Sequence, residues 1–166
     1  MPLSLCYISA VLRKEGHEIK LVDCIAEKID NKALLEISGI FKPELVVLNT
    51  AIPSIDGDMN TALVFKNSSP EIKIVIVGMF STIFEENCLN LFKQADYAIM
   101  DEPEWAVANL VNAINENNSL EAVRGLIFRN GDEIIVNQKQ KLLENNLDDL
   151  PFPARDFLNN NAYKLP

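Results

Sequence analysis

The stretch Leu45-Val-Val-Leu-Asn-Thr-Ala-Ile-Pro-Ser-Ile-Asp-Gly-Asp58 decides the fold. It opens with Leu45–Leu48, a continuous β-favouring apolar run that is typical of a strand covered on both faces. A loop over Asn49–Gly57 follows, and Asp58–Lys66 is expected to be a helix. A buried strand that leads through a loop into a helix is the repeating unit of a parallel sheet. We therefore expect an α/β fold.

The same unit recurs along the chain. Two apolar runs predict a β-hairpin after the last helix, because they flank Asn130-Gly131, the strongest short hairpin signal. The fold class is therefore a flavodoxin-like or Rossmann-like doubly wound parallel sheet with a C-terminal β-hairpin. The other predicted helices are Leu3–Lys14, Asn31–Phe41, Ile83–Phe92 and Pro103–Ile114, and the other predicted strands are Ile19–Cys24, Ile72–Val77, Tyr97–Met100, Val123–Phe128 and Glu133–Val136.

The chain opens with a helix, whereas folds of this class usually open with a strand near the middle of the sheet. We therefore expect the first strand to be missing. Its absence would leave two neighbouring strands with unpaired edges, which favours pairing with a second chain as a homodimer.

Composition narrows the classes of function. The 166 residues fit one domain, and the net charge of −9 makes nucleic acid a poor partner. No apolar run approaches the length of a membrane span and no signal peptide is readable, so we expect a cytoplasmic protein without membrane contact. The three cysteines are widely spaced and fit reduced thiols that pack as small apolar groups.

Three loops follow the carboxyl ends of the predicted strands, where open α/β sheets bind ligands. Hydroxyl groups in them lie next to helix N-termini, and acidic residues open the last helix. Turn and capping roles explain these residues equally well, and the acids also suit a helix N-terminus. The candidate binding residues are Asn49, Thr50, Ala51, Ser54, Gly78, Met79, Phe80, Ser81, Thr82, Asp101, Glu102 and Glu104.

Catalytic and metal-binding patterns are not readable in the sequence. The only histidine, His17, is expected in a turn at the opposite end of the sheet. The cysteines form neither a CxxC nor a CxxxCxxC motif, and no GxGxxG or GxxxxGK[ST] loop occurs. We therefore predict no catalytic residue and no metal ligand in this chain.

Several segments resemble the N-terminal part of cobalamin-binding radical SAM enzymes. Residues Pro2–Ile19 resemble the stretch PPLGLxYLAAxLxxxGHEV, which follows the first strand in that family, and Gly78–Thr82 is similar to GGPHxT. Asp96–Glu104 and Gly125–Gly131 resemble DYVVxGEGE and GLxYRxxG. Leu147–Asp156 is the most specific match, because it resembles the DLDSLPFPARD linker that leads into the radical SAM barrel.

The resemblance implies a corrinoid-binding domain over residues 1–137 and a linker over 138–166 toward a radical SAM barrel in cis that this chain lacks. The corrin would lie over the carboxyl ends of the strands, without an axial histidine. S-adenosylmethionine and a 4Fe-4S cluster would belong to the missing domain, so the fragment would not be catalytic alone, although the parent would be methyltransferase-like. The chain departs from the family pattern at Met79, Phe80 and Ser81, and Asp101 and Pro103 replace glycines.

Two alternatives stay open at this stage. Lys42–Gly57 also resembles the PDLVLLDxxMPxMDG stretch of response regulators, with Asn49 in place of the phosphoacceptor aspartate. A pseudo-receiver signalling domain is therefore the second hypothesis, although the hairpin and the linker have no place in it. An interaction scaffold that binds no ligand is the third.

Overall fold

The protein contains one sheet of five strands in the order β1-β2-β3-β4-β5. The computed structural model describes residues 1–139 and 147–163. The first three strands are parallel, and the last two add an antiparallel hairpin to the β3 edge, as the sequence predicts. The strands are β1 (Leu45–Asn49), β2 (Lys73–Val77), β3 (Tyr97–Ile99), β4 (Leu126–Asn130) and β5 (Glu133–Val136).

Helices cover both faces of this sheet, so the doubly wound class is confirmed. On one face, α1 and α6 build a core around Val75, Val77 and Ile99. On the other face, α2 to α5 build a second core around Ile74 and Ile76. The helices are α1 (Leu3–Lys14), α2 (Asn31–Phe41), α3 (Ile55–Ser68), α4 (Met79–Phe84), α5 (Cys88–Leu91) and α6 (Pro103–Asn115).

The predicted strand Ile19–Cys24 is wrong. The segment is extended over its first part and enters a turn at Cys24, but it belongs to no sheet. A strand exists only where a neighbour takes up its backbone hydrogen bonds, and no described strand lies beside this segment. As a result β1 is an edge strand that pairs only with β2, whereas the sequence suggested that two strands beside a missing one would each have an unpaired edge.

The predicted helix Ile83–Phe92 is also wrong in its bounds. The chain passes from β2 into α4 at Gly78, so the helix begins at Met79. Glu85 then adopts a left-handed conformation with φ of 43°, which interrupts the helix and separates α4 from α5. Helix α3 begins at Ile55, three residues before the predicted start.

The tail returns to the body of the protein. Ala154 is fully buried and its N–H donates to the Cys6 carbonyl oxygen at 3.0 Å, while Arg13 pairs with Asp156 at 2.6 Å. Leu158 packs against Cys6 in a small third cluster. Residues 147–163 of the predicted linker therefore pack partly on α1. None of the described helices is both long and apolar enough to span a bilayer.

Candidate functional site

The carboxyl ends of the three parallel strands lie side by side at one edge of the sheet. Asn49 at the end of β1 is in register with Val77 at the end of β2, and Ile76 is in register with Ala98 of β3. Three loops leave the sheet there. We call this edge the rim and define it by the loop segments 49–54, 78–82 and 101–104.

Backbone and hydroxyl contacts join the first loop to the second. Thr50 is buried, and both its N–H and its hydroxyl donate to the Val77 carbonyl oxygen, at 2.8 and 3.0 Å. The Phe80 N–H donates to the Thr50 carbonyl oxygen at 3.4 Å. The two loops are therefore hydrogen-bonded to each other.

Gly78 makes this close approach feasible. Its φ of +99° is a conformation that side chains rarely adopt, and a Cβ atom there would lie 2.6 Å from Asn49 Oδ1 and 2.7 Å from the Thr50 carbonyl oxygen. Glycine is the residue type that such a position requires. In the structure, the group that comes close to Gly78 is the neighbouring loop.

Two hydroxyl groups join the second loop to the third. Ser81 Oγ is fully buried, 2.5 Å from the Ile99 carbonyl oxygen and 2.9 Å from that of Gly78. Thr82 Oγ1 accepts a hydrogen bond from the Asp101 N–H at 2.9 Å. The rim is thus a continuous, internally bonded surface. The parallel topology predicts that the loops meet at this edge, but not that they bond to one another.

The candidate residues divide into buried and accessible ones. Thr50, Phe80 and Ser81 are buried, and Phe80 packs in the core with its ring 4.7 Å from that of Phe84. Of the two bulky residues that replace the family's small ones, only Met79 lies on the surface, where it is 60% exposed. The accessible or half-buried candidates are Asn49, Ala51, Ser54, Gly78, Met79, Thr82, Asp101, Glu102 and Glu104.

The four candidate hydroxyl groups all have partners within the protein. Ser54 Oγ donates to Asp58 Oδ2 at 2.7 Å, and Thr50, Ser81 and Thr82 make the loop contacts described above. This is what the turn-and-capping alternative expects. Direct contact between these hydroxyl groups and a ligand remains a prediction.

Sequence reasoning missed two apolar residues at the rim. Ile52 lies in the first loop, three residues after the end of β1, and is 47% exposed. Ile83 lies in α4, one helical turn beyond Met79, and is 54% exposed. Together with Met79 they give the adjoining loops an apolar, accessible surface. The available signal was the presence of Ile52 in the expected loop Asn49–Gly57 and of Ile83 at the predicted start of the helix after the second loop.

The carboxyl groups near the rim are partly withdrawn from water. Burial raises the pKa of Glu104, in the first turn of α6, above its ordinary value. Burial also raises the pKa of Asp58, which the hydrogen bond from Ser54 opposes. Lys139 adds a positive charge nearby, where its ammonium group pairs with Glu85 at 2.5 Å.

The remaining candidate chemistry lies away from the rim. His17 lines a cavity at the amino end of the strands, together with Glu44 and Lys73. Cys6 and Cys88 are buried, and burial raises the pKa of the Cys88 thiol to about 12, so both pack as neutral groups. Within residues 1–139 and 147–163 no cluster of histidine, cysteine and carboxylate side chains is arranged to hold a metal ion.

A comparison with protein families identifies the family of this chain. The B12 binding domain family matches residues 1–111, about two thirds of the chain. The chain belongs to the B12-binding domain family. The predicted corrinoid-binding class is thereby confirmed at the level of the domain family, and the match favours it over the receiver-like alternative.

Curated relatives extend the similarity beyond the matched domain. The chain is 25% identical over 163 residues to an uncharacterized methyltransferase of Pyrococcus horikoshii, covering 98% of this chain and 35% of that protein. It is 27% identical over 139 residues to the anaerobic magnesium-protoporphyrin IX monomethyl ester cyclase of Synechocystis, covering 81% of this chain and 27% of the cyclase. The chain thus spans about a third of the length of these relatives.

Solved structures share the fold at lower identity. The cobalamin-dependent S-adenosylmethionine radical enzyme OxsB, solved with aqua-cobalamin and S-adenosylmethionine, aligns with a TM-score of 0.79 at 15% identity over 94% of this chain and 22% of that one. The radical S-adenosylmethionine methyltransferase TsrM of Kitasatospora setae, solved with cobalamin and a [4Fe-4S] cluster, aligns with a TM-score of 0.74 at 17% identity over 87% of this chain and 27% of that one. The fold prediction is therefore confirmed.

Proposed function

We propose that this chain holds a cobalamin at the rim, with the corrin ring lying across the three loops. The observation that carries the proposal is the convergence of these loops into one bonded surface in a member of the B12-binding domain family. Ile52, Met79 and Ile83 supply apolar contact with the ring. Thr50, Phe80 and Ser81 act beneath the surface by fixing the positions of the loops.

The residues present at the rim fit a flat macrocycle better than a directly ligated metal. The accessible side chains there are apolar or carry amide, hydroxyl and carboxylate groups, and the chain's only histidine lies at the amino end of the strands. We infer that no histidine of this chain ligates the cobalt. Asn49 and Ser54 remain the proposed polar contacts with the amide side chains of the corrin.

We propose further that this domain serves a radical SAM catalytic unit elsewhere in the parent polypeptide. The proposal is supported by the names of the solved structures OxsB and TsrM, which are radical S-adenosylmethionine enzymes. It is also supported by the lengths of the curated relatives, since the chain spans 35% of the methyltransferase and 27% of the cyclase. S-adenosylmethionine and the 4Fe-4S cluster would bind in that unit. Phe152 is 94% exposed between two prolines, and we propose that it contacts the catalytic unit.

Location and association are part of the same proposal. Buried free thiols suit the reducing cytoplasm, where we place the parent protein. Association of two copies through the edge of β1 stays a prediction from the sequence.

Retention of hydroxocobalamin on desalting tests the proposed function. The purified chain is expected to keep the visible absorption bands of the corrinoid. The change Met79→Asp places a charge on the apolar surface and should weaken binding about tenfold, which corresponds to about 1.4 kcal/mol. Ile40→Asp is the matched control, because Ile40 is 86% exposed near the end of α2 and should leave binding unchanged.

Two results would count against this function. A colourless wild-type chain after desalting would favour the interaction scaffold that binds no ligand. Equal loss of binding in Met79→Asp and Ile40→Asp would show that the corrinoid lies elsewhere.

A further inference from the structure

A basic cavity lies at the edge of the sheet opposite the rim. Strands β2 and β3 begin there, at Lys73 and Tyr97, and the antiparallel strand β4 ends there at Asn130. The cavity has a volume of about 330 Å³. The charged residues that line it come from α3, β2, β4 and the turn before β3, and they are Lys66, Lys73, Lys93, Asp96 and Arg129.

The balance of charge in this cavity is opposite to that of the chain. Four positive side chains and one carboxylate line it, whereas the whole chain has 24 acidic and 15 basic residues. A local excess of positive charge raises the concentration of anions beside it. The cavity is therefore a candidate site for an anion on an otherwise acidic protein.

Asp96 does not neutralise the cavity, because Lys66 already pairs with it. Lys66 Nζ lies 2.6 Å from Asp96 Oδ2 and also donates to the Ile72 carbonyl oxygen at 2.8 Å. The Ile74 N–H donates to the same carboxylate oxygen at 2.8 Å. The two side chains are only 21% and 23% exposed. This pair is thus neutral overall and is fixed by the backbone at the start of β2.

The other three positive side chains have no carboxylate within hydrogen-bond distance. Lys73 Nζ lies 3.6 Å from Asp96 Oδ1. Among the described residues, the Arg129 guanidinium donates only to a neutral group, the Leu89 carbonyl oxygen at 2.6 Å. For Lys93, neither a hydrogen bond nor an ion pair is found in the same part of the chain. Three positive charges of the cavity therefore lack a close counter-charge.

Arg129 is held in place and still has donors to spare. Its guanidinium carries five N–H donors, and the contact with Leu89 uses one of them. Arginine binds phosphate through two parallel hydrogen bonds, and lysine binds it as a point charge. Anchored arginine beside two lysines is therefore a set of groups suited to phosphate.

The dimensions of the cavity favour a compact anion over an extended one. An acidic peptide in extended form spreads its side chains along about 3.3 Å per residue. A nucleic acid would also lie over the rest of a chain with a net charge of −9. A phosphate group instead carries about two negative charges and three strong acceptor oxygens at one point. Three positive side chains around one small cavity match two linked phosphate groups.

We propose that this cavity binds a diphosphate group, held by Lys73, Lys93 and Arg129 beside the Lys66–Asp96 pair. Arg129 supplies paired N–H donors, and the two lysines neutralise the charge of the ligand. Lys66 is a positioning residue, because its ammonium group keeps Asp96 from repelling the anion. Free pyrophosphate and the diphosphate of a nucleotide present the same group. The site lies at the opposite edge from the rim and does not depend on the corrinoid.

Titration of the isotope-labelled chain with pyrophosphate in low-salt buffer, followed by amide chemical shifts, tests this proposal. The amides of Lys66, Lys73 and residues 93–97 should shift, while rim segments 49–54, 78–82 and 101–104 stay unperturbed. A parallel titration with ADP distinguishes the two sources of the group. Tighter binding of ADP would identify a nucleotide as the ligand, and equal or weaker binding would identify free diphosphate.

Charge-removing substitutions give the second measurement. Lys73→Gln and Lys93→Gln should each weaken pyrophosphate binding about tenfold, because each removes a charge-assisted contact. Lys93 is exposed, so its substitution should leave the fold intact. Lys32→Gln is the matched control, because Lys32 is exposed in the first turn of α2 and does not line the cavity. It removes the same charge and should change binding by less than about twofold.

Several results would overturn the proposal. One is the absence of shifts around the cavity at millimolar pyrophosphate, and another is equal shifts with sulfate at the same ionic strength, which would show general attraction of anions. Wild-type affinity in Lys73→Gln or Lys93→Gln, or an equal loss in Lys32→Gln, would also overturn it. Tighter binding of a hexa-aspartate peptide than of pyrophosphate would show that the cavity belongs to a surface for acidic protein segments.

Discussion

Gly78 is the residue on which closure of the rim depends. We expect Gly78→Ala to reduce the free energy of unfolding by about 1–3 kcal/mol, because the new Cβ would overlap Asn49 and Thr50 and the backbone would be strained at φ of +99°. Urea denaturation measures the change. The control is Gly39→Ala in α2, where a Cβ meets nothing within 4 Å and the change should stabilise by about 0.4–1 kcal/mol.

Equal effects of the two glycine changes would contradict this view of the rim. Gly78→Ala should also weaken corrinoid binding, since it separates the first loop from the second, whereas Gly39→Ala should not.

Substitutions at Asp101 test whether the backbone there is strained. Its φ of 59° is left-handed, and it stands where the family motif has glycine. Asp101→Gly removes strain of about 1–2 kcal/mol but loses about 0.4–1 kcal/mol through the freer unfolded chain, so a net gain of up to about 1.6 kcal/mol is expected. Asp101→Val should be the least stable of the three proteins in thermal unfolding, because β-branched residues tolerate this region poorly.

A valine variant as stable as the glycine variant would show that the third loop relaxes freely. That result would be inconsistent with the hydrogen bond from the Asp101 N–H to Thr82, which fixes the loop in the structure.

Some residue roles could be predicted from the sequence and others could not. Parallel strands end at a common edge, so the gathering of Asn49, Gly78 and Asp101 follows from the strand pattern alone. The burial of Phe80 does not, because an apolar residue next to a glycine turn can face either core or solvent. Only the start of α4 at Met79 decides that Phe80 points inward and Met79 outward.

At the scale of elements, sequence periodicity predicts helices better than it predicts strands. Helices α1 and α2 have the predicted bounds because each makes its own hydrogen bonds along one segment. Ile19–Cys24 fails because a strand needs a neighbour, and its composition carries no information about whether that neighbour is present. The predicted helix Ile83–Phe92 fails at Glu85 for another reason. A residue with positive φ inside an apolar periodic run does not change the spacing of the apolar residues, so the pattern does not reveal it.

The docked tail offers an element-scale prediction that depends on pH. The Tyr163 hydroxyl donates to Asp23 Oδ2 at 2.7 Å. Burial raises the pKa of Asp23, but the hydrogen bonds from the Ala26 N–H and Tyr163 outweigh it, so the pKa lies below its ordinary value. Tyr163→Phe should raise the Asp23 pKa, measured by carboxyl-carbon NMR, and should reduce the free energy of unfolding at pH 7 by about 1 kcal/mol.

The sign of the pH dependence follows from the direction of that shift. A carboxyl group with a lowered pKa in the folded state stabilises the fold above its unfolded pKa and loses this contribution as the pH falls through the folded pKa. The difference between wild type and Tyr163→Phe should therefore shrink on acidification. Tyr7→Phe is the control, since no hydrogen bond is found for that hydroxyl in the described residues. A constant difference across pH would argue against the contact.

At the scale of the whole molecule, the rim and the free side of β1 have different properties. The rim is bonded across its three loops and carries accessible apolar side chains. The β1 edge is unpaired and opens on a groove.

The most direct test of corrinoid binding at the rim is a map of amide chemical shifts on addition of aquacobalamin to the labelled chain. We expect the perturbed amides to cluster in segments 49–54, 78–82 and 101–104, with little change at the amino ends of the strands. Perturbations confined to the β1 groove or to the His17 end, or no perturbation at millimolar aquacobalamin, would contradict the account.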